Sequence, residues 1–275
     1  MATVDRSGEV LGALFDVHGV RAVVTGAASG IGFAMAEVLA DCGACVTLAD
    51  IDSDLLERAS GILTDRGAVV RAVNCDVANE ASVEALFAEV DDEFGGVDVV
   101  FANAGIAGVT GWADGESGEQ LGTVEQSGFD RVVAVNLRGV LFTMKHAAGS
   151  MKRQGSGRII VTASIAGIRP DPVVSYGYAA SKAAVLHLVR QAALELAPQG
   201  VLVNAICPGP IKGTRIGSGA MLDPEPELEH RWAATIPLQR MGTPEDLKGV
   251  VLLLASPAGA FITGAALVVD GGVAV

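Results

Sequence analysis

A doubly wound α/β fold is predicted: a seven-stranded parallel sheet with helices on both faces. Three observations predict it. From Arg21 onward, short apolar, β-branched runs alternate with helix-length amphipathic segments. The runs are apolar at successive positions, as strands covered on both faces must be. No linker or repeat divides the chain, so residues 1–275 form one domain, with 1–18 as an N-terminal extension.

Taken in order, RAVVTG (Arg21–Gly26) reads as the first strand and IGFAMAEVLADCG as a helix ending at Gly43. CVTLAD (Cys45–Asp50) is a strand, SDLLERASGILTDRG a helix and VVRAVNCDV (Val69–Val77) a strand. EASVEALFAEVDDEFG is a helix, VDVVFANAG (Val97–Gly105) a strand and Phe129–Gly155 one long helix. RIIVTAS (Arg158–Ser164) is a strand, Tyr178–Gly200 a helix and VLVNAICPG (Val201–Gly209) a strand. A last helix-strand pair closes on LVVDGG.

Composition narrows the function classes. Half of the 275 residues are hydrophobic and 19% are charged, enough apolar side chain for a large core. The net charge of −13 argues against nucleic-acid binding, which needs clustered Lys and Arg. Cys42 and Cys45 form a lone CxxC with no second pair and no nearby histidine, so buried, reduced thiols are expected rather than a zinc site. Gly249–Val269 is long and apolar enough to suggest a membrane span, but Ser256-Pro257 and Gly259 interrupt it. A buried helix, a turn and a strand explain it better. MATVDRSGEVLG lacks the apolar core of a signal peptide, so a soluble, cytoplasmic protein without membrane partners is expected.

Two segments interrupt the alternation. Ile106–Ser127 is Gly-rich, acidic and too long for a routine connection. Pro210–Pro237 carries Met221, Leu222, Trp232 and Ile236 among charges and prolines, and reads as a substrate lid. Both follow C-terminal strand ends, where open α/β sheets bind ligands.

TGAASGIG joins the first strand to the first helix and places Gly26, Gly30 and Gly32 around Ser29 and Ile31. Glycines let backbone N–H groups approach an anion, and the helix N-terminus adds partial positive charge. In a strand–turn–helix context this is a dinucleotide-phosphate signal, and the fold becomes Rossmann-type. Asp50 ends the second strand, where a carboxylate accepts from both hydroxyls of an adenosine ribose and repels a 2′-phosphate. Ile51 and Ser29 supply no compensating charge, so NAD(H) is favoured over NADP(H). Asp76, followed by Val77, is placed either to accept from an adenine amino group or to serve as a turn residue.

SYGYAASK holds both tyrosines of the chain. Tyr178 and Lys182 are spaced i, i+4, on one face of a helix, whereas Tyr176 falls in an approach loop before it. An ammonium at ~4 Å in an effective dielectric of ~20 stabilises a phenolate by up to about 4 kcal/mol, roughly 3 pKa units. Tyr178 is therefore the candidate acid/base.

YAASK, TGAASGIG and ANAG (Ala102–Gly105), with Asn136 in AVNLRG, Ser164 in TASIAG, ICPGPI and the closing ITGAALVVDGG, resemble in order the motifs of the short-chain dehydrogenase/reductase family. The resemblance covers about Val20–Gly272. It implies that Ser164 holds the substrate oxygen, Tyr178 exchanges its proton, and Lys182 binds the nicotinamide ribose and lowers the phenol's pKa. Asn136 would hold a relay water. Asn103, Ala104 and Gly105 would line the adenosine-side ribose, and Pro208, Gly209 and Ile211 would contact the nicotinamide. It implies direct hydride transfer with no metal, and a homotetramer. Three features depart from the pattern: Ala102 stands at the usual first asparagine, Gly213 at the usual threonine with Thr214 one residue later, and the 106–127 loop is long.

The expected function is NAD(H)-dependent interconversion of a secondary alcohol and a ketone, on an apolar or cyclic small molecule suggested by the lid and by Val173-Val174. One alternative is a 3-oxoacyl-[acyl-carrier-protein] reductase, with Lys145, Lys152 and Arg153 as a partial docking patch. Another is a non-catalytic NAD(H)-sensing module.

Overall fold

The computed structural model describes residues 7–108, 121–216 and 222–275. Residues 109–120 of the long loop and 217–221 of the lid segment, Met221 included, lie outside the described residues.

Seven parallel strands form one sheet: β1 (Arg21–Thr25), β2 (Cys45–Asp50), β3 (Val70–Asn74), β4 (Val99–Ala102), β5 (Gly157–Thr162), β6 (Val201–Pro208) and β7 (Ala266–Val269). Their spatial order is β3-β2-β1-β4-β5-β6-β7. The order reverses between β1 and β4, which pair directly with Val23 opposite Val100. A crevice therefore opens at their C-terminal ends, where the helices that follow leave to opposite faces.

Alternate strand residues feed two cores. On one face Val23, Val100 and Val161 meet α4 (Glu80–Phe94), α6 (Val140–Gln154) and α7 (Tyr176–Leu196) through Leu86, Met151 and Val185. On the other, Val24, Leu48, Phe101 and Ile160 meet α2 (Gly30–Asp41), α3 (Ser53–Asp65) and α9 (Lys248–Ala255) through Leu39, Leu63 and Val251. Each fully buried aliphatic or aromatic side chain contributes about 1.5–3 kcal/mol, so this double core is the main support of the crevice.

The expectation that all strands are buried on both faces holds for the central ones and fails at the edges. β3 and β7 are only partly covered, and Arg71 and Val268 reach solvent. An edge strand has one neighbour instead of two, so polar side chains are tolerated there.

Two helix boundaries also differ from expectation. The helix expected over Phe129–Gly155 begins earlier, as α5 (Gln126–Val133), and passes through one π-helical turn, Ala134–Gly139, before α6. The extra residue in that turn seats Gly139 against Val77, where a Cβ would lie 2.9 Å from the valine methyl. It also turns Asn136 inward. The tyrosine helix α7 starts at Tyr176, not after it. The Ser175 hydroxyl caps it, accepting from the Tyr178 N–H at 3.2 Å and donating to the Ala107 carbonyl at 2.8 Å. Tyr176 is thus in the first helical turn and half-exposed.

The apolar stretch near the C-terminus resolves into α9, a 3₁₀ turn at Pro257–Gly259 and β7. No helix among the described residues is long and apolar enough to cross a membrane. All four cysteines are free. Cys75 and Cys207 are buried, but Cys42 is exposed at the end of α2 and Cys45 half-buried at the start of β2, contrary to the expectation that the CxxC is buried. The N-terminal extension forms α1 (Ser7–Leu14), with Val10, Leu11 and Leu14 exposed. Within the lid segment, α8 (Pro226–Ala234) carries Trp232 against Ile236 and Met241.

Candidate active site

A cavity of about 720 Å³ occupies the crevice. Every residue proposed for the site from the sequence borders it except Asn136. At one end lie the glycine loop (Gly26, Ser29, Gly30, Ile31, Gly32), Asp50 and Ile51, Asp76 and Val77, and Asn103–Gly105. At the other lie Ser164, Tyr178, Lys182, Pro208, Gly209 and Ile211.

The glycine loop is built for close approach. Gly26 and Gly30 have φ of 66° and 57°. A Cβ on Gly32 would stand 2.0 Å from the Gly26 carbonyl oxygen, and one on Gly26 would stand 2.8 Å from the Ala104 Cα. Only glycine permits that backbone path, and α2 begins directly behind it. Asn103 braces the loop, donating from Nδ2 to the carbonyls of Thr25 (3.0 Å) and Gly26 (3.2 Å) and accepting from the Thr162 hydroxyl (3.0 Å). Thr25 Oγ1 accepts from the N–H groups of Asn103 and Ala104.

Asp50 is oriented by two backbone donors, Ala28 N–H at 3.0 Å and Asp52 N–H at 3.1 Å. Its neighbours on the wall are Ile51, Asp52 and Leu55. No Lys or Arg among the described residues forms an ion pair with it. The glycine cradle and this carboxylate fit a dinucleotide, with the phosphates on the loop and a ribose on Asp50.

At the other end Tyr178 and Lys182 are both buried in α7. The Tyr178 ring packs among Ala107, Val132 and Ala166. Lys182 Nζ lies 5.6 Å from the ring centroid and donates to the Thr162 carbonyl at 2.7 Å. Thr162 is the last residue of β5, so the sheet itself receives the ammonium. Ser164 caps the 3₁₀ turn Ile165–Gly167, its Oγ accepting from the Ala166 N–H at 3.1 Å, and it also hydrogen-bonds the phenol.

The electrostatics correct one expectation. An ammonium beside the phenol was expected to make it acidic. With the chain's own groups alone, burial dominates: it pushes the Tyr178 phenol up to about 12, against the opposing hydrogen bond from Ser164, while Asp171 and Cys207 raise it further. Burial also lowers Lys182 to about 8. The ammonium sits over the ring face and on a carbonyl, so its attraction for a phenolate does not offset the lost hydration of either group.

Asn136 lies behind the cavity wall, fully buried. Its Oδ1 accepts from the Ile106 N–H and its Nδ2 donates to the Ile106 carbonyl, both at 2.8 Å, with Ser181 Oγ at 3.4 Å. A Cβ on Gly105 would come within 3.4 Å of Asn136 Oδ1 and 3.6 Å of Lys182 Nζ, so the three groups converge. The amide pins the turn after β4 against the lysine.

Thr214, noted in the sequence as one residue past its usual place, borders the cavity nonetheless. Gly213 takes φ 75°, and Thr214 Cα lies 3.3 Å from where a Gly30 Cβ would be, so the extra glycine turns the threonine back onto the phosphate loop. Arg131, Asp171 and Arg215, which the sequence did not single out, border the cavity too. Only Asp171 carried a visible signal, an acid held between two prolines just before the tyrosine helix.

Comparison with known proteins follows the same lines. Residues 26–274 match the family model described as enoyl-(acyl carrier protein) reductase. The chain is 36% identical over 250 residues to 2-(S)-hydroxypropyl-CoM dehydrogenase 3 of Xanthobacter autotrophicus, covering 90% of this chain and 94% of the relative. It is 40% identical over 253 residues to cis-4-hydroxycyclohexanecarboxylate dehydrogenase of Sinomonas cyclohexanicum, covering 91% and 95%. A crystal structure of a short-chain type dehydrogenase/reductase from Mycobacterium marinum superposes with a TM-score of 0.85 at 37% identity, covering 96% of this chain and 98% of that one.

Proposed function

The chain belongs to the short-chain dehydrogenase/reductase family, two relatives named above are dehydrogenases of hydroxylated compounds, and from that premise we propose that it interconverts a secondary alcohol and a ketone using NAD(H) rather than NADP(H). One observation carries the reading. A single cavity has the Asp50 carboxylate, which forms no ion pair among the described residues, at one end and Ser164, Tyr178 and Lys182 together at the other.

When bound, the nicotinamide supplies a hydride acceptor or donor. The chain's own residues do the rest. Ser164 and Tyr178 together hold the substrate oxygen. The Tyr178 phenol takes or returns the hydroxyl proton. Lys182, anchored to the Thr162 carbonyl, holds positive charge beside that proton path. Burial raises the phenol to about 12, and the positive charge of an oxidised pyridine nucleotide would favour its ionisation. Cofactor binding would in that way assist proton transfer from the alcohol. Around the carbinol, Ile106, Val135, Val174, Ile216 and Trp232 form a mostly apolar wall. It suits a small cyclic alcohol, in keeping with the named substrate of the Sinomonas relative.

An acyl-carrier-protein reductase finds less support. The cations that would dock an acidic carrier are already engaged: Lys145 with Glu80 at 2.6 Å, Lys152 with Glu195 at 2.8 Å and Arg153 with Asp91 at 2.5 Å. Self-association is part of the proposal. Val268 on the β7 edge, Phe261 beside it and the apolar side chains of α1 are exposed, in keeping with a homotetramer. A cytoplasmic location fits the use of NAD(H).

The test is a screen of secondary alcohols with NAD⁺ and NADP⁺, read as absorbance of the reduced cofactor. Turnover with NAD⁺ at least tenfold above NADP⁺ is expected. NADH binding without turnover of any alcohol or ketone would favour a sensing module, and a preference for NADPH with acyl thioesters would favour the carrier-protein enzyme.

A further inference from the structure

The loop between the Ser164 turn and α7 places a carboxylate where the apolar wall meets the catalytic groups. Asp171 stands between Pro170 and Pro172, each with φ fixed by its ring. Its Oδ1 accepts from the Val173 N–H at 3.1 Å, and its carbonyl accepts from the Val174 N–H at 3.4 Å. This self-bonded turn fixes the carboxyl group. Asp171 and Val174 both border the cavity that Tyr178 borders. The carboxylate is near enough to Tyr178 to disfavour its ionisation.

What Asp171 lacks is a partner. Among the described residues its Oδ2 takes part in no hydrogen bond, and Asp171 forms no ion pair with Arg131, Lys182 or Arg215, the cations on the same cavity. A half-buried carboxylate that uses one oxygen to hold its own turn, and whose other oxygen is unpaired among the described residues, has accepting capacity left for a ligand in the cavity. The ligand group must donate a hydrogen bond, since a carboxylate only accepts. It should also be neutral, because Lys182 and an oxidised pyridine nucleotide already bring positive charge to this end.

We propose that Asp171 is a specificity-determining residue that accepts a hydrogen bond from a second hydroxyl, on the carbon next to the one oxidised, so that vicinal diols and α-hydroxyketones are preferred to simple alcohols and ketones. The inference rests on the dehydrogenase reading above. It narrows that reading from an apolar secondary alcohol to one with an adjacent hydroxyl, and makes a substrate with an anionic group beside the reacting carbon a poor one.

The experiment compares kcat/KM for 2,3-butanediol and 2-butanol, a pair differing by the one hydroxyl, in the wild-type enzyme, Asp171→Ala and Asp171→Asn. The asparagine variant retains an oxygen for the Val173 N–H and so keeps the turn even if the alanine variant folds poorly. The wild-type enzyme should favour the diol by about tenfold or more, the range of one hydrogen bond to a charged group. The ratio should fall at least tenfold in Asp171→Ala and severalfold in Asp171→Asn, mainly through KM of the diol. An equal ratio in all three proteins, with Tyr178→Phe inactive on both alcohols, would overturn this inference and leave the dehydrogenase reading standing. A wild-type preference for 3-amino-2-butanol over the diol would overturn the assignment to a hydroxyl. Wild-type enzyme that binds NADH but oxidises none of the three would overturn the dehydrogenase reading and this inference with it.

Discussion

The two ends of the cavity are built in different ways. At the dinucleotide end, polar side chains are held by backbone. Asp50 is oriented by two N–H groups, Asn103 by two carbonyls, and the glycines contribute only their lack of a side chain. At the alcohol end a phenol and an ammonium are buried, their ionisation pushed toward the neutral forms, and the Asp171 carboxylate, held through one oxygen by the Val173 N–H, borders the same cavity. The first end is preorganised to bind and its groups keep ordinary chemistry. The second holds an unfavourable arrangement that, on the proposed function, a bound cofactor and substrate would relieve. Binding sites of the first kind add to stability, whereas catalytic groups of the second kind subtract from it.

The largest expected effect lies at the dinucleotide end. Gly32→Ala forces a Cβ into the Gly26 carbonyl and the Asn103 amide. NADH affinity should fall by about 100-fold or more in a fluorescence titration while far-UV circular dichroism stays that of a folded α/β protein. Retained affinity would mean that the loop does not hold the phosphates. Asp50→Ala acts on the same end with less force. The NADH-to-NADPH ratio of kcat/KM should shrink by about tenfold, the worth of one or two hydrogen bonds to a carboxylate. An unchanged ratio would remove Asp50 from cofactor choice.

The alcohol end should respond in the opposite sense when stability is measured. The folded-state pKa of Lys182 is lowered from 10.5 to about 8. Below about pH 8 the lysine is protonated in both states, and its burial penalty is fully present. Between about 8 and 10.5 only the unfolded chain holds the proton, so stability rises with pH as the penalty is relieved. Lys182→Met should therefore abolish turnover yet stabilise the fold by about 1–3 kcal/mol at pH 7, with less gain near pH 10. A melting temperature that falls at pH 7 would show that the Thr162 hydrogen bond outweighs desolvation.

This contrast also explains what could be read from the sequence. The dinucleotide end rests on local geometry, and a turn that only glycine can make is written in consecutive residues. The i, i+4 spacing of Tyr178 and Lys182 was equally plain, because helix periodicity sets it. Their ionisation was not, since it depends on burial by distant residues such as Val132 and on a backbone carbonyl, Thr162, that any residue could provide. The same holds for the π turn at Asn136, which depends on packing of Gly139 against Val77, and for the half-exposed edge strands, whose place in the sheet follows from topology. The Ser175 cap was readable in principle, but Gly177 in SYGY suggested a loop and shifted the helix start past Tyr176.

The most direct measurement is a paired one on the two phenols. Alcohol oxidation by Tyr178→Phe and Tyr176→Phe is followed alongside NADH titration of both. The account predicts that Tyr178→Phe loses about 10³-fold or more in kcat, within the range of a general acid/base, with NADH affinity kept, and that Tyr176→Phe stays within about twofold of wild type, as expected for a side chain half-exposed outside the cavity. Turnover by Tyr178→Phe near the wild-type rate, or equal losses in the two variants, would contradict it.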